Sequence, residues 1–102
     1  SDIVINGKTL DEFSHVVVYT EAGFSPESLE IALGDTVTFV NVSAEEMWVA
    51  SNFHPTHLLY SELDAKQAVG NGEIFEFTFD REGKWGYHNH MRSLVVGEIV
   101  VK

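Results

Sequence analysis

Gly83-Lys84-Trp85-Gly86-Tyr87-His88-Asn89-His90 decides how the rest of the chain is read. It reads as a strand ending in two histidines one residue apart. Side chains alternate across a strand, so His88 and His90 project to one side and Asn89 to the other. Two imidazoles on one rigid edge are half of a metal site. A second pair, His54 and His57, stands in Phe53-His54-Pro55-Thr56-His57, so four of the five histidines fall in two tight clusters. That clustering is the strongest chemical signal in the chain.

Outward from this stretch, the sequence is a succession of short strands and turns. His15 to Tyr19 is β-branched and aromatic, a strand. Ala22 to Glu27 reads as a turn. Leu29, Ile31 and Leu33 alternate with polar or small residues, the pattern of a half-buried strand. Gly34-Asp35 turns into Thr36 to Val42, the clearest strand. Met47 to Ala50 is a short strand, Ser51 to Thr56 a loop, and His57 to Tyr60 a return to strand. Ser61 to Ala68 is a polar connection with room for one helical turn, and Gly70-Asn71-Gly72 is a turn. Ile74 to Phe79 is a strand, Met91 to Val96 a loop, and Gly97 to Val101 a last strand. Residues 1–14 form an N-terminal arm or an added edge strand, with a turn at Asn6-Gly7 and a helical turn at Leu10 to Phe13. Seven or eight short strands with no long helical pattern predict an all-β sandwich or barrel. With no repeat or linker, residues 1–102 read as a single domain.

Composition narrows the chemistry. The 102 residues suffice for one hydrophobic core, and 44% are apolar, which supports a packed globule over a disordered chain. The net charge of −10 repels nucleic acid and anionic lipid, and suits cations or a basic protein partner. The absence of cysteine excludes disulfides, iron–sulfur clusters and thiolate-ligated metal. No apolar run approaches the roughly 20 residues of a membrane helix, so no membrane insertion is expected. The chain opens at Ser1-Asp2 without a starting Met, consistent with a processed or trimmed product, of which removal of a signal peptide is one form.

The order of the pieces resembles a cupredoxin. Gly23-Phe24-Ser25-Pro26, Leu29-Glu30-Ile31 and Gly34-Asp35-Thr36-Val37-Thr38-Phe39-Val40-Asn41 resemble the family's early strands. Gly83 to Tyr87 resembles the strand that leads to its metal loop, and Gly97 to Val101 its final strand. The resemblance covers roughly residues 16–102, and implies a two-sheet Greek-key β-sandwich with metal loops at one end. It also implies copper and a periplasmic or extracellular location. Blue cupredoxins take a mid-chain histidine, a cysteine, a second histidine and usually a methionine. His57 fits the first of these, but the cysteine position falls on Asn89 and the loop after it has no histidine. Tyr87-His88-Asn89-His90 resembles instead the Tyr-His-Ser-His stretch of multicopper oxidases, whose histidines hold non-blue copper. Copper nitrite reductases also carry a histidine directly before their cysteine. By that likeness His88 and His90 face away from a blue site, toward a second site on the domain surface.

The expected ligands are therefore His57, His88 and His90, with His54 as a fourth candidate, binding copper or, as the alternative, zinc. Each has a plainer reading: His88 and His90 as polar residues on an exposed strand end, His54 and His57 as loop residues. His15 reads as a solvated or hydrogen-bonded residue, and Met47 and Met91 as packing residues rather than axial ligands. Trp48 and Trp85 belong to the core or line the site. Glu62 and Asp64 are candidates to donate oxygen or to orient an imidazole, at a distance the sequence does not give. The expected function is copper binding and transfer or one-electron chemistry at a non-blue, all-histidine site, with a basic redox or copper-transfer partner. The alternatives are a small metalloenzyme acting on oxygen, nitrite or a hydrolysable substrate, and a metal-free interaction module.

Overall fold

The structure is a computed structural model; it describes residues 15–52, 60 and 62–102, with the backbone of 4–5 and 8–9. Two four-stranded sheets pack face to face. One has the order β5 (Ser28–Ile31), β10 (Arg92–Val101), β9 (Gly83–Asn89), β7 (Val49–Ser51). The other has the order β4 (Gly23–Ser25), β3 (Val16–Thr20), β6 (Thr36–Asn41), β8 (Ile74–Thr78). Two pairings are parallel, β5 with β10 and β3 with β6; the others are antiparallel. β1 (Val4–Ile5) and β2 (Lys8–Thr9) pair with each other in an antiparallel two-stranded ladder. No helix among the described residues is long and apolar enough to cross a membrane.

The core lies between the sheets and is rich in aromatic rings. Tyr19, Phe24, Phe39 and Tyr87 pack in tilted or edge-on pairs with centroids 4.9–5.2 Å apart. Such geometry sets the positive edge of one ring on the negative face of the next. Tyr60, Phe77, Phe79 and Trp85 form a second group. Tyr87 lies opposite Gly97 across the β9–β10 ladder, and a Cβ at residue 97 would overlap the Tyr87 hydroxyl. Glycine there gives the phenol its space.

Several sequence expectations change. Gly23 to Ser25 is a strand, β4, where a turn was expected; it pairs with β3 and buries Phe24. Leu33 lies outside its expected strand and is 48% exposed. The Asp35 carboxylate accepts the Ala32 N–H at 3.0 Å, which turns the chain after Ile31. Met91 to Val96 forms no open loop. From Arg92 it is the start of β10, which bulges before Val96 resumes the ladder opposite His88. Met91, expected to pack, is 47% exposed and Leu94 on the bulge is 95% exposed. The described part of the 61–68 connection, 62–68, contains no helical turn. Asp64 bridges to Ala50 and extends the β7 edge. The expected helical turn at 10–13, the Asn6-Gly7 turn and most of the 57–60 strand lie outside the described residues.

Candidate metal centre

Alternation along β9 builds the site. Trp85, Tyr87 and Asn89 point inward and are buried; His88 is half-buried on the outer face and His90, just past the strand end, is exposed. Their ring centroids are 5.8 Å apart. The two imidazoles therefore share the outer face, as the spacing predicts.

The neighbouring strand β7 supplies the surroundings. Ala50 stands opposite His88, and Asp64 stands opposite Ala50 on the other side. Residues paired across a ladder share a face, so Asp64, Ala50 and His88 form one row. The alanine methyl between them leaves the middle of the row low. One step along, the His90 N–H donates to the Trp48 carbonyl at 2.7 Å, which puts Trp48 beside His90. One step the other way, the Asn52 N–H donates to the Gly86 carbonyl at 2.9 Å. Gly86 has no side chain, and a Cβ there would come within 2.8 Å of Asn52 Nδ2. Asn52 uses that space to reach His88, its Oδ1 lying 2.8 Å from Nδ1. With that oxygen as acceptor, His88 carries its hydrogen on Nδ1 and keeps the Nε2 lone pair for another partner.

The charges suit such a partner. Burial, then the nearby His90, pulls the His88 pKa below the usual histidine value, while Asp64 opposes them. His88 is thus neutral at pH 7, the form that binds metal. For Asp64, burial alone pushes the carboxyl up. Hydrogen bonds from Trp48 and the Lys66 backbone, with the charges of Lys66 and His90, outweigh it and hold the pKa below the usual value. Asp64 Oδ1 accepts from Trp48 Nε1 at 2.7 Å and from the Lys66 N–H at 2.8 Å.

The inner end of β9 is different in kind. Asn89, 0% exposed, spends its amide on the backbone. Its Oδ1 accepts the Trp48 N–H at 2.8 Å and the Met91 N–H at 3.1 Å, and its Nδ2 donates to the Glu46 carbonyl at 3.0 Å. The Asn89–Met91 bond is an Asx-turn that reverses the chain into β10. Asn41 shapes the facing loop, accepting from Ser43 N–H and donating to the Glu45 carbonyl. A thiolate-ligated copper does not fit here: the position holds a committed amide, and the stretch from Met91 to Gly97 carries no histidine.

Of the four expected ligands, His88 and His90 come together; His54 and His57 lie outside the described residues. Among the described residues, no group of three or more His, Cys, Asp or Glu is close enough to hold a metal ion. His15 bonds to Asp35 at 2.9 Å, and Met47 and Trp85 are buried in the core. Glu62 lies 3.4 Å from Arg81. Sequence reading missed Asn52 and assigned Trp48 no part beyond lining the site. An asparagine just beyond a short strand, and a tryptophan followed by a small residue on the same face, were the available signals.

No protein-family model matches the sequence. Among solved structures, the chain is similar to a novel purple cupredoxin from Nitrosopumilus maritimus, with a TM-score of 0.76 and 22% identity, covering 86% of this chain and 99% of that one. It is also similar to amicyanin. A mutant of amicyanin in its reduced Cu(I) form at pH 4 gives a TM-score of 0.79 and 23% identity, covering 96% of this chain and 90% of that one. A second reduced amicyanin mutant gives 0.78 and 22%, with 97% and 90% covered. The chain has the cupredoxin fold.

Proposed function

We propose that this protein binds copper on the outer face of β9, at a non-blue site made of imidazoles, and carries the metal or exchanges single electrons through it. One observation carries the reading: His88 and His90 converge on one face, 5.8 Å between centroids, and Asn52 holds His88 with Nε2 left over. His57 and His54 are the further ligands. Their segment follows Asn52, whose side chain already touches His88, and Pro55 stiffens the chain between them. Two amicyanin mutants among the similar structures, both described as Cu(I) forms, support copper over zinc. Imidazole suits both metals, and copper supplies one-electron chemistry that zinc lacks. The net charge of −10 suits a basic redox or copper-transfer partner. A single domain spanning 1–102, in a periplasmic or extracellular setting, completes the proposal.

Equilibrium dialysis against Cu(II) and Zn(II) tests it. The parent protein should retain about one copper, and His88→Ala or His90→Ala should each weaken binding at least about tenfold, the loss expected from roughly 1.4 kcal/mol. His15→Ala should leave binding unchanged. Parental affinity in both strand variants would show that this strand end is not the site.

A further inference from the structure

Each imidazole of the pair has its own support, and the two supports differ. Asn52 orients His88 through a hydrogen bond. His90 is exposed at a strand end, where a lone side chain would sample several rotamers. It is instead packed against the Trp48 indole, with centroids 4.9 Å apart and planes tilted by 53°. The indole is itself fixed, because its Nε1–H donates to Asp64 Oδ1 at 2.7 Å. Asp64 is fixed in turn by the Lys66 N–H, in a turn that holds Lys66 at φ 64°. A non-glycine residue in that region is uncommon, so the surrounding structure holds it there. The outer face of β7 thus reads Trp48, Ala50, Asn52: an aromatic wall, a low floor and a polar clamp, set against His90, His88 and Gly86.

We propose that Trp48 and Asp64 are a positioning pair that sets the His90 ring for copper, as Asn52 sets His88. The proposal rests on the copper-binding reading and goes beyond it, since neither residue is a ligand. Order imposed before the metal arrives lowers the entropy lost on binding. Partners behind metal ligands commonly contribute about 10–100-fold in affinity.

The test uses the full chain, with Cu(II) as the probe and thermal melting to confirm folding. Trp48→Ala should weaken Cu(II) binding about tenfold and alter the EPR hyperfine splitting, and Trp48→Phe should restore only part of both, because the ring returns without the N–H that Asp64 holds. Asp64→Ala, which keeps the indole but frees it, should likewise fall between the parent and Trp48→Ala, while Asp64→Asn should recover because an amide oxygen still accepts the indole N–H. NMR of the metal-free protein gives an independent reading: in Trp48→Ala the His90 ring should become rotationally averaged while His88 stays ordered. If Trp48→Ala does not fold, Trp48→Phe and Asp64→Ala carry the same comparison. A parent protein that retains copper, with Trp48→Ala and Asp64→Ala unchanged in affinity, spectrum and His90 order, overturns the positioning role alone. A parent that retains no copper overturns both readings.

Discussion

Replacing Asn89 by alanine should damage this protein more than any other single polar substitution in β9. The side chain is fully buried and makes three hydrogen bonds to backbone: from Trp48 N–H, from Met91 N–H and to the Glu46 carbonyl. Asn89→Ala removes all three and leaves two donors and one acceptor without their partner. At about 1 kcal/mol for each lost bond, and up to about 2 for each stripped group that water cannot reach, the loss is roughly 3–6 kcal/mol. Net stability of a domain this size is about 5–15 kcal/mol, so the variant should be marginal. Urea unfolding followed by tryptophan fluorescence measures the difference. An unchanged m-value would confirm that the folded state carries the effect. Asn89→Asp retains the acceptor and loses only the donor, so its fall should be smaller at a pH where the new carboxyl is protonated. A loss below about 1 kcal/mol for Asn89→Ala, with m unchanged, would falsify the assignment of Asn89 as the clamp of the hairpin.

Gly97→Ala should destabilise by about 1–3 kcal/mol, because the new methyl meets the Tyr87 hydroxyl in a packed core; a melting temperature equal to the parent's would contradict this. Acid should weaken the metal-free fold. Burial and His90 lower the His88 pKa, so the unfolded chain binds more protons there, and this stabilisation is complete above about pH 6.5 and lost as pH falls. Asp64 adds a second loss near and below its usual 3.8. Unfolding at pH 7 and pH 5 should therefore differ less in His88→Gln than in the parent, and equal differences would remove His88 from the account. The copper(II) form should be nearly colourless with a wide parallel hyperfine splitting, since no thiolate exists to give charge transfer. Asn89→Cys should stay colourless too, its sulfur facing inward, away from His88 and His90; a stable blue form would overturn the alignment of β9.

The sequence carried the strands wherever alternation and β-branching coincide. β3, β6, β8 and β9 fall within a residue or two of their expected positions. β4 was hidden because Gly23-Phe24-Ser25-Pro26 has turn composition, and only its pairing with β3 makes it a strand. The first half of β10 was hidden for another reason. Arg92-Ser93-Leu94 shows no clear alternation, and the Asn89 Asx-turn and the bulge decide its path. The shared face of His88 and His90 follows from period two alone. What stands across from them does not: the placing of Asn52, Ala50, Trp48 and Asp64 depends on register between strands distant in sequence, which no local pattern encodes. Asparagine is depleted in strands, so Asn41 and Asn89 at strand ends were legible as exceptions, though not their partners.

Anomalous diffraction at the copper edge, from crystals of the copper-loaded protein, tests the central claim most directly. One peak should lie on the outer face of β9, bonded to the imidazoles of His88 and His90. A peak at the inner end beside Asn89, or copper bound away from both histidines, would contradict the account.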